Sequence, residues 1–400
     1  LNLYSLFFLT DKNFNFLTIP SFLLYLNFIL FSFNQISSKS RIIISDYFLI
    51  VTLFYLILKF TRISEFGFDL PATIFSILSI YYYIRFSETS LFDKKKEYFF
   101  LVSIFSMFSI LIKFSTIPVV LLPLYLYIKY FWDLKFFIFK SKFFFIYFFV
   151  IIFFIQQFIY TGCIFFPTNL TCLNVSWFNE DNLNFSGNLE LVNKSYFHEA
   201  KDFFTPAEYL KNFNWFSFWV KRNFIEILEH FFTIILPSLL FLFFLKKKAN
   251  YNLSLQDKFG LYIFLILGIS FWLNFSPVYR FAIHLFILLV FIILIKYLIL
   301  KEFSKKIFMV FLFLFILFNF SKNILRLNQS EKIFLGIQKI DNKFVLNKKS
   351  DNKIINVYRP DVKNNSMNSW QGRACWDIPF ICSYNDLRIY KKNNYLFITK

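Results

Sequence analysis

Glycine is scarce in this chain, 7 residues in 400, and histidine is scarcer still at 3. Those two shortages remove several enzyme classes at once. There is no glycine-rich phosphate loop with its Walker lysine, no GxSxG nucleophile turn and no HExxH pair. The 4 cysteines never fall in a CxxC spacing, and His198, His230 and His284 are scattered, so nothing in the spacing points to zinc and no metal ligand set is assigned. Polar residues are also too few. With 58% hydrophobic residues, 67 phenylalanines and a mean hydropathy of +0.55, a soluble globular domain could not cover its own surface. The start of the sequence carries neither a basic n-region nor a small-residue cleavage site, and it opens at Leu1 inside an apolar stretch. We therefore read the chain as a fragment, with residues 1–10 closing an earlier span and with any first outer loop lying upstream.

What is present is a succession of apolar runs, at 14–33, 42–60, 71–86, 98–112, 116–131, 143–160, 231–245, 259–275, 281–300 and 307–320. A helix needs about 20 residues to cross the hydrocarbon core, so the expected fold is an all-α polytopic membrane protein of about ten transmembrane helices. The basic residues fall on alternate connections: Lys39 and Arg41; Lys94, Lys95 and Lys96; Lys135, Lys140 and Lys142; Lys246, Lys247, Lys248 and Lys258; Lys301, Lys305 and Lys306. The positive-inside bias puts these in the cytoplasm. The connections between them, 61–70, the turn near Lys113, 161–230, 276–280 and the tail from 321, then share the outer face. The net charge of +19, from 43 basic and 24 acidic residues, is largely this topological charge, and no nucleic-acid partner is expected.

Four regions follow: spans in 1–160, an outer loop over 161–230, further spans in 231–320, and an outer C-terminal domain over 321–400. In the loop, Thr205-Pro206-Ala207-Glu208 reads as a helix start. The amphipathic run behind it, to about Arg222, suits a helix at the membrane interface or one packed on the loop. In the tail the hydrophobic pattern gives way to short β-like strings at 343–346, 354–358, 387–390 and 395–398, the last two flanking Lys-Lys-Asn-Asn as in a hairpin. This predicts a small α/β or mostly β cap. All four cysteines lie in these two pieces, Cys163 with Cys172 and Cys375 with Cys382, each pair bracketing a proline. On an oxidising face they would close small loops as disulfides; free thiols are the alternative.

Chemistry in such a chain must come from ionisable groups at the outer ends of the spans, where charge is costly and is paired or functional. The densest cluster is Arg62-Ile-Ser-Glu65-Phe-Gly67-Phe-Asp69-Leu-Pro71. A carboxylate there, Asp69 or Glu65, can serve as a general base or hold a divalent cation, and Arg62 can grip a phosphate through two N–H groups. An ion-pair cluster anchoring two helix ends is the competing explanation. Lys113, in a turn with almost no loop, can snorkel to headgroups or face an anion. Arg280 occupies the next outer turn beside Pro277. Arg62, Lys113 and Arg280 are each the lone or leading cation of a separate outer turn, and convergence on one anionic head group would unite them. No histidine is placed on an outer helix end near the Arg62 cluster, so a histidine mechanism is not expected.

Taken together, Arg62-Ile-x-Glu-Phe-Gly-x-Asp-Leu-Pro71, the Lys113-x-Ser-x-x-Pro118 turn, Gly162-Cys-x-x-x-Pro167 with Trp177 beyond it, Ser276-Pro-x-Tyr-Arg-Phe281 and Cys375-Trp-x-x-Pro-x-x-Cys382 resemble an uncharacterised family of bacterial multi-pass membrane proteins that looks like distant GT-C-type glycosyltransferases. The resemblance implies an integral protein of the bacterial inner membrane that moves a sugar from a polyprenyl-phosphate donor to an envelope glycan, lipid or protein acceptor. Asp69 or Glu65 would activate the acceptor and Arg62, Lys113 and Arg280 would hold the donor phosphate. GT-C enzymes usually carry an acidic residue in a first outer loop, which would lie upstream of Leu1. A transporter or flippase for lipid-linked glycans, or a polysaccharide polymerase, are the alternatives; charge confined to the span ends argues against the transporter.

Overall fold

A computed structural model describes residues 19–38, 42–59, 69–164, 166, 171–175, 178, 189–196, 200–246, 258–299 and 303–329, together with C-terminal strands at 345–350, 353–358, 381–382, 388–392 and 395–399. Each of the ten apolar runs becomes helical. The helices are α1 (Ile19–Ser37), α2 (Ile44–Lys59), α3 (Asp69–Glu88), α4 (Phe92–Ile112), α5 (Leu121–Lys129, entered through a 3-10 segment, Phe114–Val120), α6 (Ser141–Thr161), α7 (Trp215–Phe244), α8 (Lys258–Phe275), α9 (Ile283–Ile299) and α10 (Lys305–Gln329). Two compact units result, Leu24–Phe320 and a second made of Leu1–Leu23 with Ser321–Lys400.

Among the described residues four helices are long and apolar enough to cross a bilayer: Ser141–Thr161, Trp215–Phe244, Lys258–Phe275 and Lys305–Leu325. The bent pair Phe114–Lys129 and Phe131–Phe139 makes a fifth if it counts as one crossing. The surface of α6 makes the solvent plain. Phe144, Phe148, Ile151, Ile155 and Ile159 recur every three or four residues along it and all are exposed, a stripe that water would penalise and lipid would not. The chain is an integral membrane protein.

Two of the other legs, α2 and α3, are packed inside protein along most of their length. α2 is only 16 residues long, and every residue from Ile44 to Ile57 is buried. Phe54 on it meets Phe241 of α7 and Phe311 and Phe315 of α10, while Phe48 meets Phe291 of α9. Between α3 and α4 the contact is made by small polar residues instead. Ser76 pairs with Ser109 and Ser79 with Ser106, each at 2.7 Å, which lets two backbones approach where hydrophobic driving force between helices is absent. A close approach also explains Gly260: a Cβ there would meet the Tyr125 ring at 2.5 Å.

The alternation of basic connections sorts into two ends of the bundle. At one end Lys305 Nζ donates to Ser37 O at 2.9 Å, Ser45 N–H and Oγ at the start of α2 donate to Glu88 at the end of α3, Lys95 lies over the Tyr130 ring, and Phe259 beside Lys258 meets Tyr125. Described residues in or next to all five basic connections thus touch or neighbour one another there. At the other end Asp69 meets Lys113 and Arg280, Lys59 pairs with Glu229, and Asn193 in the long loop reaches Ser276 at 3.4 Å.

The loop departs from expectation at its far boundary. Thr205 does cap Pro206–Leu210, in a capping box with Glu208 whose Thr205 N–H and hydroxyl also hold the Glu208 carboxyl below its usual range. The helix then breaks at Asn212, whose φ of 52° is left-handed. Trp215 opens α7, which runs 30 residues without interruption to Phe244. The stretch expected as a separate interfacial helix is therefore partly the first half of a span, with Trp215 and Trp219 buried rather than lying on a surface. At the near boundary Gly162, with φ of 76°, ends α6, and its N–H donates to Phe158 O.

The second unit contains antiparallel β1 (Val345–Ser350) and β2 (Lys353–Tyr358), with β3 (Ile381–Cys382) parallel to β2. A separate antiparallel pair is formed by β4 (Arg388–Lys392) and β5 (Tyr395–Thr399) in the register Lys392↔Tyr395, across Asn393 and Asn394.

Candidate functional site

Asp69 stands in the first turn of α3, where the helix dipole favours a negative charge and Pro71 loses no hydrogen bond. It is buried, 9% exposed. Lys113 follows the last residue of α4 in an extended conformation, so its side chain leaves the helix axis at the point where the chain reverses. The reversal is fixed from beneath. Thr116 Oγ1 donates to Lys113 O at 2.8 Å and accepts from Ser109 Oγ at 2.8 Å, and the same Ser109 hydroxyl lies 2.9 Å from Ala72 O in the first turns of α3. One serine therefore ties the Lys113 turn to the helix that carries Asp69.

Arg280 is carried by a 3-10 turn, Tyr279–Phe281, between α8 and α9. Two indoles pin the approach to it: Trp219 Nε1 donates to Pro277 O at 2.7 Å and Trp272 Nε1 to Val278 O at 2.8 Å. All three residues of the turn make contacts that matter. Tyr279 stacks on His230 with centroids 4.4 Å apart; Arg280 Nε lies 3.7 Å from Asp69 Oδ2; and the Phe281 ring lies 3.3 Å beneath Lys113 Nζ. Lys113 Nζ also pairs directly with Asp69 Oδ1.

The structure thus brings Asp69, Lys113 and Arg280 together from three turns. Arg62, Glu65 and Gly67 lie outside the described residues. So do Pro167, Trp177 and Cys375. Cys163 and Cys172 are disulfide-bonded, and the bridge is backed by Leu173 N–H to Gly162 O and Ile164 N–H to Thr171 O. Among the described residues no group of three or more His, Cys, Asp or Glu side chains comes together as a metal site would require.

The electrostatics of the cluster are informative. Burial pulls the Lys113 ammonium below its ordinary value, and Arg280 pulls the same way; the pairing with Asp69 pushes back without making good the difference. A buried ion pair is by itself weak evidence of a device for stability. What the arrangement offers is two cations of fixed position, one carboxylate shared between them, and side chains only partly closed to the surroundings, at 20% exposure for Lys113 and 36% for Arg280.

The expectation of no histidine near the site is corrected. His230, buried in α7, accepts or donates a 2.7 Å hydrogen bond at Nδ1 with Tyr55 of α2 and stacks on Tyr279, next to Arg280. Glu229 beside it pairs with Lys59. The partners are far apart in sequence, and only the helical spacing of Trp215, Trp219 and His230 on one face of α7 hinted at inward placement.

No curated protein and no solved structure matches the chain. A family model described as Domain of unknown function (DUF8201) matches residues 2–287, a stretch well over half the chain that includes Asp69, Lys113, Arg280, His230 and the Cys163–Cys172 disulfide, and the chain belongs to that family.

Proposed function

We propose that this protein is a GT-C-like integral membrane glycosyltransferase of the bacterial inner membrane, with about ten crossings, that takes a sugar from a polyprenyl-phosphate donor for cell-envelope glycan assembly. The observation that carries the reading is the convergence of Lys113 and Arg280, from two separate turns, on Asp69 at the end of the bundle away from the basic connections. A lipid-linked donor presents its phosphate at the level where helices end, and two cations held there by a carboxylate form a site that a phosphate can enter by exchange. Arg62 would add a third cation from the adjoining connection.

The chemistry follows from that exchange. The donor phosphate takes Lys113 and Arg280 as partners and releases Asp69, which turns to the acceptor hydroxyl. The acceptor oxygen forms a bond to the anomeric carbon as the bond from that carbon to the phosphate oxygen breaks. The hydroxyl proton passes to Asp69, or to Glu65 of the preceding connection, and the electron pair leaves on the polyprenyl phosphate, whose charge the two cations stabilise. The envelope-glycan acceptor would lie under the loop that opens at the Cys163–Cys172 disulfide.

Arg280→Gln tests this. Membranes holding the wild type should transfer labelled sugar from a polyprenyl-phosphate donor into glycan, and the variant should lose transfer at least a hundredfold, the scale of removing one electrostatic stabiliser of a transition state. Insertion and detergent-extracted yield should not change. Undiminished transfer by Arg280→Gln would remove the proposal.

A further inference from the structure

At the opposite end of the bundle the chain makes a second, unrelated arrangement. The leg Phe114–Lys129 and the segment Phe131–Phe139 meet at 97°. The leg runs between the two ends, so the segment lies across the basic end rather than along the bundle. Its side chains divide by face. Leu134 and Phe137 are buried against the protein, while Trp132, Phe136 and Phe139 point away from it, each about three-quarters exposed or more (78%, 74% and 79%). Large aromatics in that number are not left bare on a surface that only water touches.

The charges around these rings are mostly positive. Lys129, Lys135, Lys140 and Lys142 flank the segment against a single acid, Asp133. Lys135 stretches over the rings of Trp132 and Phe136, at 4.2 and 5.0 Å, so that cation and aromatic present one surface. Lys95 reaches Tyr130 from the neighbouring basic connection and brings Lys94 and Lys96 to the same end. An in-plane segment with aromatic side chains facing outward and lysines around them matches the chemistry of a bilayer interface whose headgroups are negative.

We infer that residues 129–142 form an interfacial foot that binds anionic phospholipid headgroups, with Trp132, Phe136 and Phe139 entering the headgroup–acyl boundary and Lys135, Lys140 and Lys142 pairing with phosphates. The inference is independent of the proposed reaction. It rests on the perpendicular bend, the one-sided exposure and the excess of positive charge together.

The test uses the full chain in vesicles of phosphatidylcholine alone and in an equal mixture of phosphatidylcholine and phosphatidylglycerol. Native mass spectrometry of protein extracted from the mixture should find phosphatidylglycerol retained in preference, and the triple variant Lys135→Gln/Lys140→Gln/Lys142→Gln should lower that preference by about fivefold per lysine removed. A control with the same charge change at the other end, Lys201→Gln/Lys211→Gln/Lys221→Gln, should leave it unchanged. The difference in emission between wild type and Trp132→Phe isolates one of the 7 tryptophans. That signal should be quenched by lipids brominated near the headgroup end of the acyl chain. Equal retention of the two lipids, equal losses in both triple variants, or a Trp132 signal that no brominated lipid quenches would each overturn the proposal.

Discussion

Lys113→Met is expected to destabilise the purified protein by about 2–3 kcal/mol, below the roughly 3–5 typical of breaking a buried pair because Arg280 remains as a second partner for Asp69. The loss comes from what is left behind. Asp69 keeps its burial, with a guanidinium at 3.7 Å in place of a direct ammonium contact. Arg280→Gln should cost less than about 1 kcal/mol, since the partner it removes is farther away and partly exposed. The double variant Asp69→Asn/Lys113→Met should recover most of the loss, because removing both charges leaves neither buried without its partner. Thermal unfolding in detergent orders the four proteins, and a double variant as unstable as Lys113→Met would mean that the pair stabilises the fold outright. Arg280→Gln alters the site while leaving the closer ion pair of Lys113 and Asp69 in place.

The second large effect concerns sidedness. A reporter fused after Lys248 is expected to be active as a cytoplasmic protein, and one fused after Lys400 as an outer-face protein. All five lysine-bearing connections are represented at one end of the bundle, through Lys305 with Ser37, Ser45 with Glu88, Lys95 with Tyr130 and Phe259 with Tyr125. The positive-inside bias acts on such short connections together, so that end is predicted to remain in the cytoplasm. α10 starts at that end, at Lys305. Reporters that give the same sidedness at both positions would contradict the map.

Much of this organisation was legible in the residues. Apolar runs bounded by charge became helices because the bilayer and the packed interior both demand satisfied backbone groups, and a helix satisfies them locally. The meeting of Lys113 and Arg280 was legible for a similar reason: a lone cation at a span end is expensive unless something answers it. What answers both is Asp69, yet nothing in the spacing separated Asp69 from Glu65. The first half of α7 was not legible as part of a span. Lys221, Arg222, Glu226 and Glu229 make that stretch read as polar, and only its one-sided burial of Trp215, Trp219 and His230 reveals a helix continuous with the apolar run behind it. His230 escaped because its partners, Tyr55 and Tyr279, come from α2 and from the Arg280 turn, and no local pattern links them. The tail strings read as strands by alternation alone, and strands form there in two antiparallel pairs.

The cluster's proposed role is to exchange a carboxylate for a lipid-borne phosphate, and titration calorimetry with a short-chain polyprenyl phosphate tests that most directly. The wild type is predicted to bind it saturably, Arg280→Gln to bind it at least tenfold more weakly, and the corresponding uncharged polyprenol to bind neither protein measurably. Equal binding of the phosphate by both proteins, or binding of the polyprenol as tight as that of the phosphate, would contradict a phosphate site at Asp69, Lys113 and Arg280.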